Sequence, residues 1–247
     1  MHLRIKLVFA ASMALAFSTV FGVYAAPPDQ KDLKEVLQRL DAAAANFHST
    51  SADFEFDTEQ TDPFYSKDID KGTAFYKRSG KSFRMAAHIR EEALGVEKDK
   101  PAKFKPVPKD VIYADGKVKV YEKLTDEIHE YGAAKYESYL LLGFGASGKE
   151  LADKWDINYL GSEDLNDGKV SVKTEKLELV AKDPDVRKML PKVTVWVDPA
   201  RAVSLKQIFD EGHGQSRTCY YFNIKLNPSI PDTEFNIKTD SKTKTVK

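Results

Sequence analysis

The chain has 247 residues, with 38 basic and 38 acidic side chains and 42% apolar residues. A balanced, evenly mixed surface leaves no electrostatic footprint for nucleic acid or an anionic membrane. The length suits one large β-domain or two small domains, and 14 Phe with 11 Tyr can furnish a sizeable core.

Residues 1–25 have the three parts of a secretory signal peptide. Arg4 and Lys6 give a positive start, Leu7–Phe21 is an almost unbroken apolar run, and Val23-Tyr24-Ala25 ends in the small residue a signal peptidase requires. The run is 15 residues long, whereas spanning a bilayer takes about 20, so cleavage is expected rather than an uncleaved anchor. No cysteine lies near the cleavage point to carry a lipid. The expected product is soluble and comprises residues 26–247. Its formal charge is −2, because loss of Arg4 and Lys6 leaves 36 basic against 38 acidic residues.

After Pro27-Pro28, Leu33, Val36, Leu37, Leu40, Ala44 and Phe47 recur at helical spacing, with Lys34, Glu35, Gln38 and Arg39 on the other face, which predicts an amphipathic helix. Asp29 or Asp32 can accept from the free N–H groups at its start. The pattern then switches to period two. Asp53-Phe54-Glu55-Phe56-Asp57 alternates strictly and predicts a half-exposed strand. Gly72–Arg84 reads as one or two strands, and Val111–Tyr121 as a hairpin turning at Asp115-Gly116. Asp167-Gly168 marks a second turn of this type. Further strands are expected at Lys176–Val180, Val193–Val197, Val203–Phe209, Arg217–Lys225 and Glu234–Lys238. Residues 89–109, with Glu91, Glu92, Lys98, Lys100 and three prolines, read as a solvated excursion. Residues 133–155 read as helix over Ala134–Leu142, a glycine-rich turn, and helix again from Lys149 to Trp155. No repeat, linker or low-complexity run divides the chain. The order predicts one α+β domain built mainly on antiparallel β-structure.

Several strands are apolar on both faces, for example Val193, Val195 and Val197 against Trp196, or Tyr220 and Phe222 against Tyr221. A sheet of this kind must be covered on both sides, by helices on one and by a ligand, a barrel wall or ordinary core on the other.

Catalytic motifs do not survive scrutiny. Gly143-Phe144-Gly145-Ala146-Ser147-Gly148 matches G-x-G-x-x-G, with Glu163 standing 20 residues after the first glycine. That fingerprint should open a βαβ unit among parallel strands, yet hairpin-like segments surround it, so a flexible turn between helices is expected instead. Ser147 lacks the spacing of a nucleophile elbow. His2, His48, His88, His129 and His213 are scattered without ligand spacing, and His129 between Glu127 and Glu130 suits a solvated face better than a metal. The single cysteine, Cys219, cannot form an internal disulfide and reads as a small buried side chain. No catalytic residue, cofactor or metal is expected.

The order of segments resembles the LolA-type periplasmic outer-membrane lipoprotein carriers. The resemblance rests on the exported start, the helix Leu33–Phe47 running into Phe54-Glu55-Phe56-Asp57-Thr58-Glu59-Gln60, then Gly72-Thr73-Ala74-Phe75-Tyr76-Lys77-Arg78 and Tyr113-Ala114-Asp115-Gly116-Lys117-Val118-Lys119-Val120-Tyr121. Leu177–Leu179, Val193–Asp198, Val203–Asp210 and Phe222–Phe235, with Asn227, follow the family's closing strands. It spans residues 30–238. Ser79 stands where the family has proline, residues 89–109 look inserted, and the family's proline-glycine close is missing after Ile237.

The resemblance implies an unclosed β-barrel with a helical lid over an apolar cavity for lipoprotein acyl chains. Phe54, Phe56, Phe75, Trp196, Phe209 and Phe222 are the implied cavity residues. Arg78 is implied to hold the empty cavity closed through carbonyls of the lid, with Lys77 and Arg84 as rivals. The implied partners are an inner-membrane lipoprotein-releasing transporter and an outer-membrane acceptor, the protein acting as a periplasmic monomer. The alternative is a lipid-binding or envelope-stress sensing domain on the same scaffold, with a hydrolase of dispersed residues a distant third.

Overall fold

The computed structural model describes residues 30–80, 82–133 and 142–246. The expected signal peptide, and the helix expected over Ala134–Leu142 save its last residue, lie outside the described residues.

The amphipathic segment forms helix α1, Gln30–Ala44. Its apolar positions Val36, Leu40 and Ala44 are buried, and Phe47 is brought in by a closing turn in which its N–H donates to the Ala44 carbonyl. Six strands then follow as successive antiparallel hairpins: β1 Ser49–Gln60, β2 Ser66–Ser79, β3 Ser82–Ala93, β4 Lys105–Ala114, β5 Lys117–Glu122 and β6 Glu127–Gly132. After helix α2 (Gly148–Lys154) come β7 Trp155–Asn166 and β8 Ser171–Ala181, a short helix α3 (Pro184–Met189), then β9 Lys192–Asp198, β10 Val203–Gly212 and β11 Gln215–Leu226.

β11 returns to pair with β1 along Thr50–Gln60. A last strand, β12 (Lys244–Val246), runs parallel to β6. The result is one twelve-stranded sheet in the order β12-β6-β5-β4-β3-β2-β1-β11-β10-β9-β8-β7. Its two ends do not pair with each other, so the barrel is unclosed and antiparallel apart from β12, as expected.

Two local expectations are corrected. The excursion is shorter than residues 89–109, because β3 continues to Ala93 and β4 begins at Lys105. The charges there pair across the ladder, with Lys105 Nζ 3.0 Å from Glu92, while Ile89 and Ala93 are buried between them. The segment expected as strand over Glu234–Lys238 is instead a 3₁₀ turn, Asp232–Phe235, followed by irregular chain. Ile230 and Phe235 turn it onto the outer face of the sheet, against Ala86 and Ile112, so its backbone has no ladder to join.

The inner face carries the helices. Val36, Leu40, Leu151 and Val186 pack on Leu177, Leu179, Val193 and Val195 over β8 and β9. Each such side chain stabilises the layer by about 1.5–3 kcal/mol. Over β1–β4 the inner face is aromatic: Phe47, Phe54, Tyr76, Phe83, Tyr113 and Phe144 form one cluster. Tyr76 is its fully buried centre, stacked between Phe83 at 5.4 Å and Phe144 at 5.9 Å.

The outer face is held differently, by a ladder of charges and rings crossing the strands in register. Lys176 and Lys206, both opposite Trp196, place their Nζ atoms 4.7 and 4.6 Å from its ring. Lys206 also lies over Tyr220, which is opposite Glu55. Glu55 in turn pairs with Lys71 at 3.0 Å.

Candidate functional site

Between the two inner-face clusters lies a cavity of about 540 Å³, within the range of ligand pockets. Alternation along the strands builds its floor. Phe56 of β1 sits opposite Cys219 of β11, and both line the cavity with Phe209 and Tyr221. The other side is formed by Leu142 and Phe144 of the link entering α2 and by Met189 and Leu190 after α3. Glu211 and Arg217, paired at 3.1 Å, stand where the cavity reaches the β10–β11 turn.

The groups inside are chemically quiet. Burial pushes the Cys219 thiol up to about 12, which keeps it protonated and without nucleophilic character. Burial likewise raises the Tyr221 phenol. Gln207, a buried side chain in the wall, donates its amide to the Leu142 carbonyl. The cavity can therefore hold an apolar molecule along its aromatic and aliphatic walls, with the Glu211–Arg217 pair at its edge.

The link Leu142–Ser147 is sewn to the sheet along its length. The Ser204 N–H donates to the Gly143 carbonyl at 3.1 Å and the Gly145 N–H to the Ala202 carbonyl at 2.8 Å. Between them Phe144 bridges to Val203. This explains the glycine pattern that imitates a nucleotide fingerprint. Gly143 and Gly145 have positive φ, and a Cβ there would strike Gln207 or the Phe47 ring; one at Gly148 would strike the Leu37 backbone. Close packing against α1 and β10 needs these glycines, and Ser147 closes a capping box with Glu150 at the start of α2. No parallel βαβ unit surrounds the motif among the described residues, so the nucleotide reading falls. The turn is also firmly bonded rather than free.

Arg78 reaches this link. Its Nη2 donates to the Gly145 carbonyl at 2.9 Å and lies 3.8 Å from Glu150, while its Nε contacts the Tyr76 hydroxyl at 3.5 Å. The rivals point elsewhere, since Lys77 and Arg84 both bind Asp232 on the outer face.

The six aromatic candidates divide by face. Phe56 and Phe209 line the cavity. Phe54 joins the inner aromatic cluster behind them. Phe75 lies on the outer face with the C-terminal segment, and Trp196 lies there too, its indole N–H donating to Glu163 at 2.6 Å. Phe222 sits opposite Asp53 rather than opposite Phe54 or Phe56, which also turns it outward. The sequence shows that these strands are apolar on both faces but does not say which parity faces in. Met85, Tyr221, Phe144 and Gln207 were missed. Tyr221 is the residue that the Phe54 parity selects once β1 and β11 are known to pair.

A second polar array lies on the outer face around His88. His88 Nδ1 lies 2.6 Å from Asp110 and Nε2 3.1 Å from Glu234. The His88 contact holds the Asp110 carboxyl below its usual range, against the upward push of burial. His88 and Asp110 are opposite one another on β3 and β4, so only the register reveals them. Among the described residues no group of three His, Cys, Asp or Glu side chains could hold a metal ion.

No family profile and no curated protein matches the chain. Several solved structures are distantly similar to it. A LolA superfamily protein, NE2245 from Nitrosomonas europaea, is 13% identical, with 83% of this chain and 97% of that chain covered at a TM-score of 0.37. A DUF1329 family protein from Desulfovibrio piger is 13% identical over 83% and 96% of the two chains, with a TM-score of 0.44. The Pseudomonas aeruginosa MucA/MucB complex gives 14% identity over 84% of this chain and 61% of that chain, with a TM-score of 0.43. The functional conclusion rests on this chain's own cavity.

Proposed function

We propose that the protein is an exported, periplasmic carrier that takes lipoprotein acyl chains into the inner-face cavity and passes them towards the outer membrane. The observation that supports this is a mainly apolar space of about 540 Å³ between sheet and link, bounded on one side by a link that Arg78 joins at the Gly145 carbonyl in addition to its backbone bonds to the sheet. An acyl chain gains about 0.8 kcal/mol per buried methylene, so a sixteen-carbon chain leaves a membrane for water at a cost of roughly 12 kcal/mol. A carrier offsets that cost by offering apolar walls, and release then depends on a cover that closes when the chain departs. No covalent step is needed, in keeping with a thiol and phenol that stay protonated. The expected mature start at Ala26 and the implied donor and acceptor membranes complete the reading.

Purification from an envelope fraction without detergent, followed by extraction and mass spectrometry, tests it. Co-purified lipoprotein, or its acylated fragment, is the expected result. Recovery of the protein only empty, or only in a stable complex with another protein and no acyl ligand, refutes it.

A further inference from the structure

The hairpin tips at the two ends of the sheet differ in kind. At one end the connections follow Gln60, Ala93, Glu122, Ala181 and Gly212, the last strand residues of β1, β3, β5, β8 and β10. Four of these five connections carry an exposed large apolar side chain: Phe64 at 80%, Leu94 at 57%, Leu124 at 78% and Met189 at 49% exposure. Tyr65 and Phe104 stand beside them, also exposed. The opposite end includes the turns Asp115-Gly116, Asp167-Gly168 and Pro199–Arg201; Val170 is exposed in these turns, and Tyr131 and Leu226 are exposed at the nearby ends of β6 and β11. The cavity reaches the apolar end, because Met189, Glu211 and Arg217 belong both to it and to that rim.

We propose that this rim, with Phe64, Leu94 and Leu124 at its tips, docks onto the headgroup region of a lipid bilayer and sets the cavity mouth against the membrane. The proposal rests on the carrier reading for its purpose but on separate residues for its chemistry. Isolated exposed Phe and Leu side chains are ordinary; their recurrence on four of the five connections at the end where the cavity opens is what calls for a cause. The four side chains stand on separate tips along the arc of strand ends. A protein partner needs a contiguous complementary patch of roughly 800 Å² a side. A fluid interface accepts side chains wherever they reach it, which suits this arrangement better.

Charge separates the apolar from the electrostatic mode of attachment. Residues 94–105 hold Lys98, Lys100, Lys103 and Lys105 against Glu97 and Asp99, whereas 122–127 hold Lys123 against Glu122, Asp126 and Glu127. These two loops together carry no net charge. Lys100 and Lys105 are already paired with Glu97 and Glu92. Attachment through this rim is therefore insensitive to salt and does not need anionic lipid.

The test is flotation of the full mature chain with phosphatidylcholine vesicles at low and high salt. It is accompanied by displacement of a fluorescent fatty acid as a separate measure of the cavity. The parent binds vesicles equally at both salt concentrations. Phe64→Ser, Leu94→Ser and Leu124→Ser combined lower its partitioning by about thirtyfold, if each half-inserted side chain contributes about threefold. The melting temperature and fatty-acid displacement are unchanged, because these side chains touch neither core nor cavity, and Val170→Ser has no effect. Equal vesicle binding by the triple variant overturns the proposal. So does parental binding that requires anionic lipid and disappears in salt, or binding only to vesicles containing a membrane protein. Vesicle binding without fatty-acid displacement sinks the carrier reading and leaves the rim standing; displacement without vesicle binding does the reverse.

Discussion

Replacing Arg78 by leucine should alter the balance between empty and loaded states without unfolding the protein. The guanidinium is three-quarters buried and bonds the Gly145 carbonyl at 2.9 Å. A hydrogen bond to a charged group contributes about 1.5–3 kcal/mol, to be discounted here for the exposed quarter of the side chain. The longer approach to Glu150 adds less than about 1 kcal/mol. A net loss of about 1–2 kcal/mol shifts the closed-to-open ratio roughly five- to thirtyfold. The link stays tethered through Gln207 to Leu142, through Gly143 to Ser204 and through the Gly145 N–H to Ala202, so the opening is local.

If a bound acyl chain displaces the link, removing Arg78 weakens only the empty state and favours the loaded one by the same factor. The expected results are faster hydrogen exchange at the Gly145 amide, tighter retention of a labelled lipoprotein, and slower transfer to acceptor vesicles. The melting transition should change little. Arg78→Lys should recover part of the effect, because an ammonium lacks the planar fork. Parental rates of both exchange and transfer in Arg78→Leu would show that the contact has no part in closure.

Three further outcomes are expected. Phe56→Glu should abolish fatty-acid binding by placing a charge in the cavity wall, whereas Trp196→Ala should leave binding intact and cost about 3 kcal/mol of stability; loss of binding in the second variant would reverse the assignment of faces. Cys219 should resist iodoacetamide at pH 8 in the native protein and react once denaturant exposes it, and rapid native labelling would contradict its burial. Burial opposes ionisation of Asp167, yet the N–H groups of Val170 and Lys169 and the Arg201 guanidinium outweigh it and lower its carboxyl. Its stabilisation is therefore present above about pH 4 and is lost as pH falls through the depressed native value. Asp167→Asn should cost about 1–3 kcal/mol at pH 7, and the deficit should shrink below about pH 3 in pH-dependent urea denaturation.

Local patterns made much of this architecture legible. The 3.6-residue spacing of Val36, Leu40 and Ala44 located α1, and Asp115-Gly116 located the β4–β5 turn. Arg78 was found through family resemblance, and its partner carbonyl lies in the link next to the expected lid segment. What stayed hidden depends on contacts far apart in the chain. Glu92 looks solvated until β4 brings Lys105 beside it. Trp196 looks like a cavity wall until the register sets the Lys176 and Lys206 ammonium groups over its ring on the outer face. Parity is further scrambled at Asn223, whose positive φ lets Tyr221 and Ile224, three apart, both join the inner aromatic cluster. The 3₁₀ turn at Asp232–Phe235 has strand-like alternation, and only its docking on Ala86 and Ile112 decides its form.

The seam between β1 and β11 has a consequence for how the chain acquires this shape. β1 to β6 form one meander of neighbouring hairpins and β7 to β11 another, but the paired residues joining them are 155 to 176 positions apart, from Gln60 with Gln215 to Thr50 with Leu226. Hairpins close in about 1–10 μs, while a seam of this span must wait until both meanders are in place. During folding, β1 holds Phe54 and Phe56 on an open edge until β11 arrives. An unpaired apolar edge is the commonest invitation to intermolecular strand pairing. Pulse-labelled hydrogen exchange during refolding should protect amides of the β4–β5 hairpin before those of Phe54 and Phe56. Simultaneous or reversed protection would mean that the seam itself nucleates the fold. The same delay leaves the apolar residues of β1 exposed for as long as the second meander takes to form.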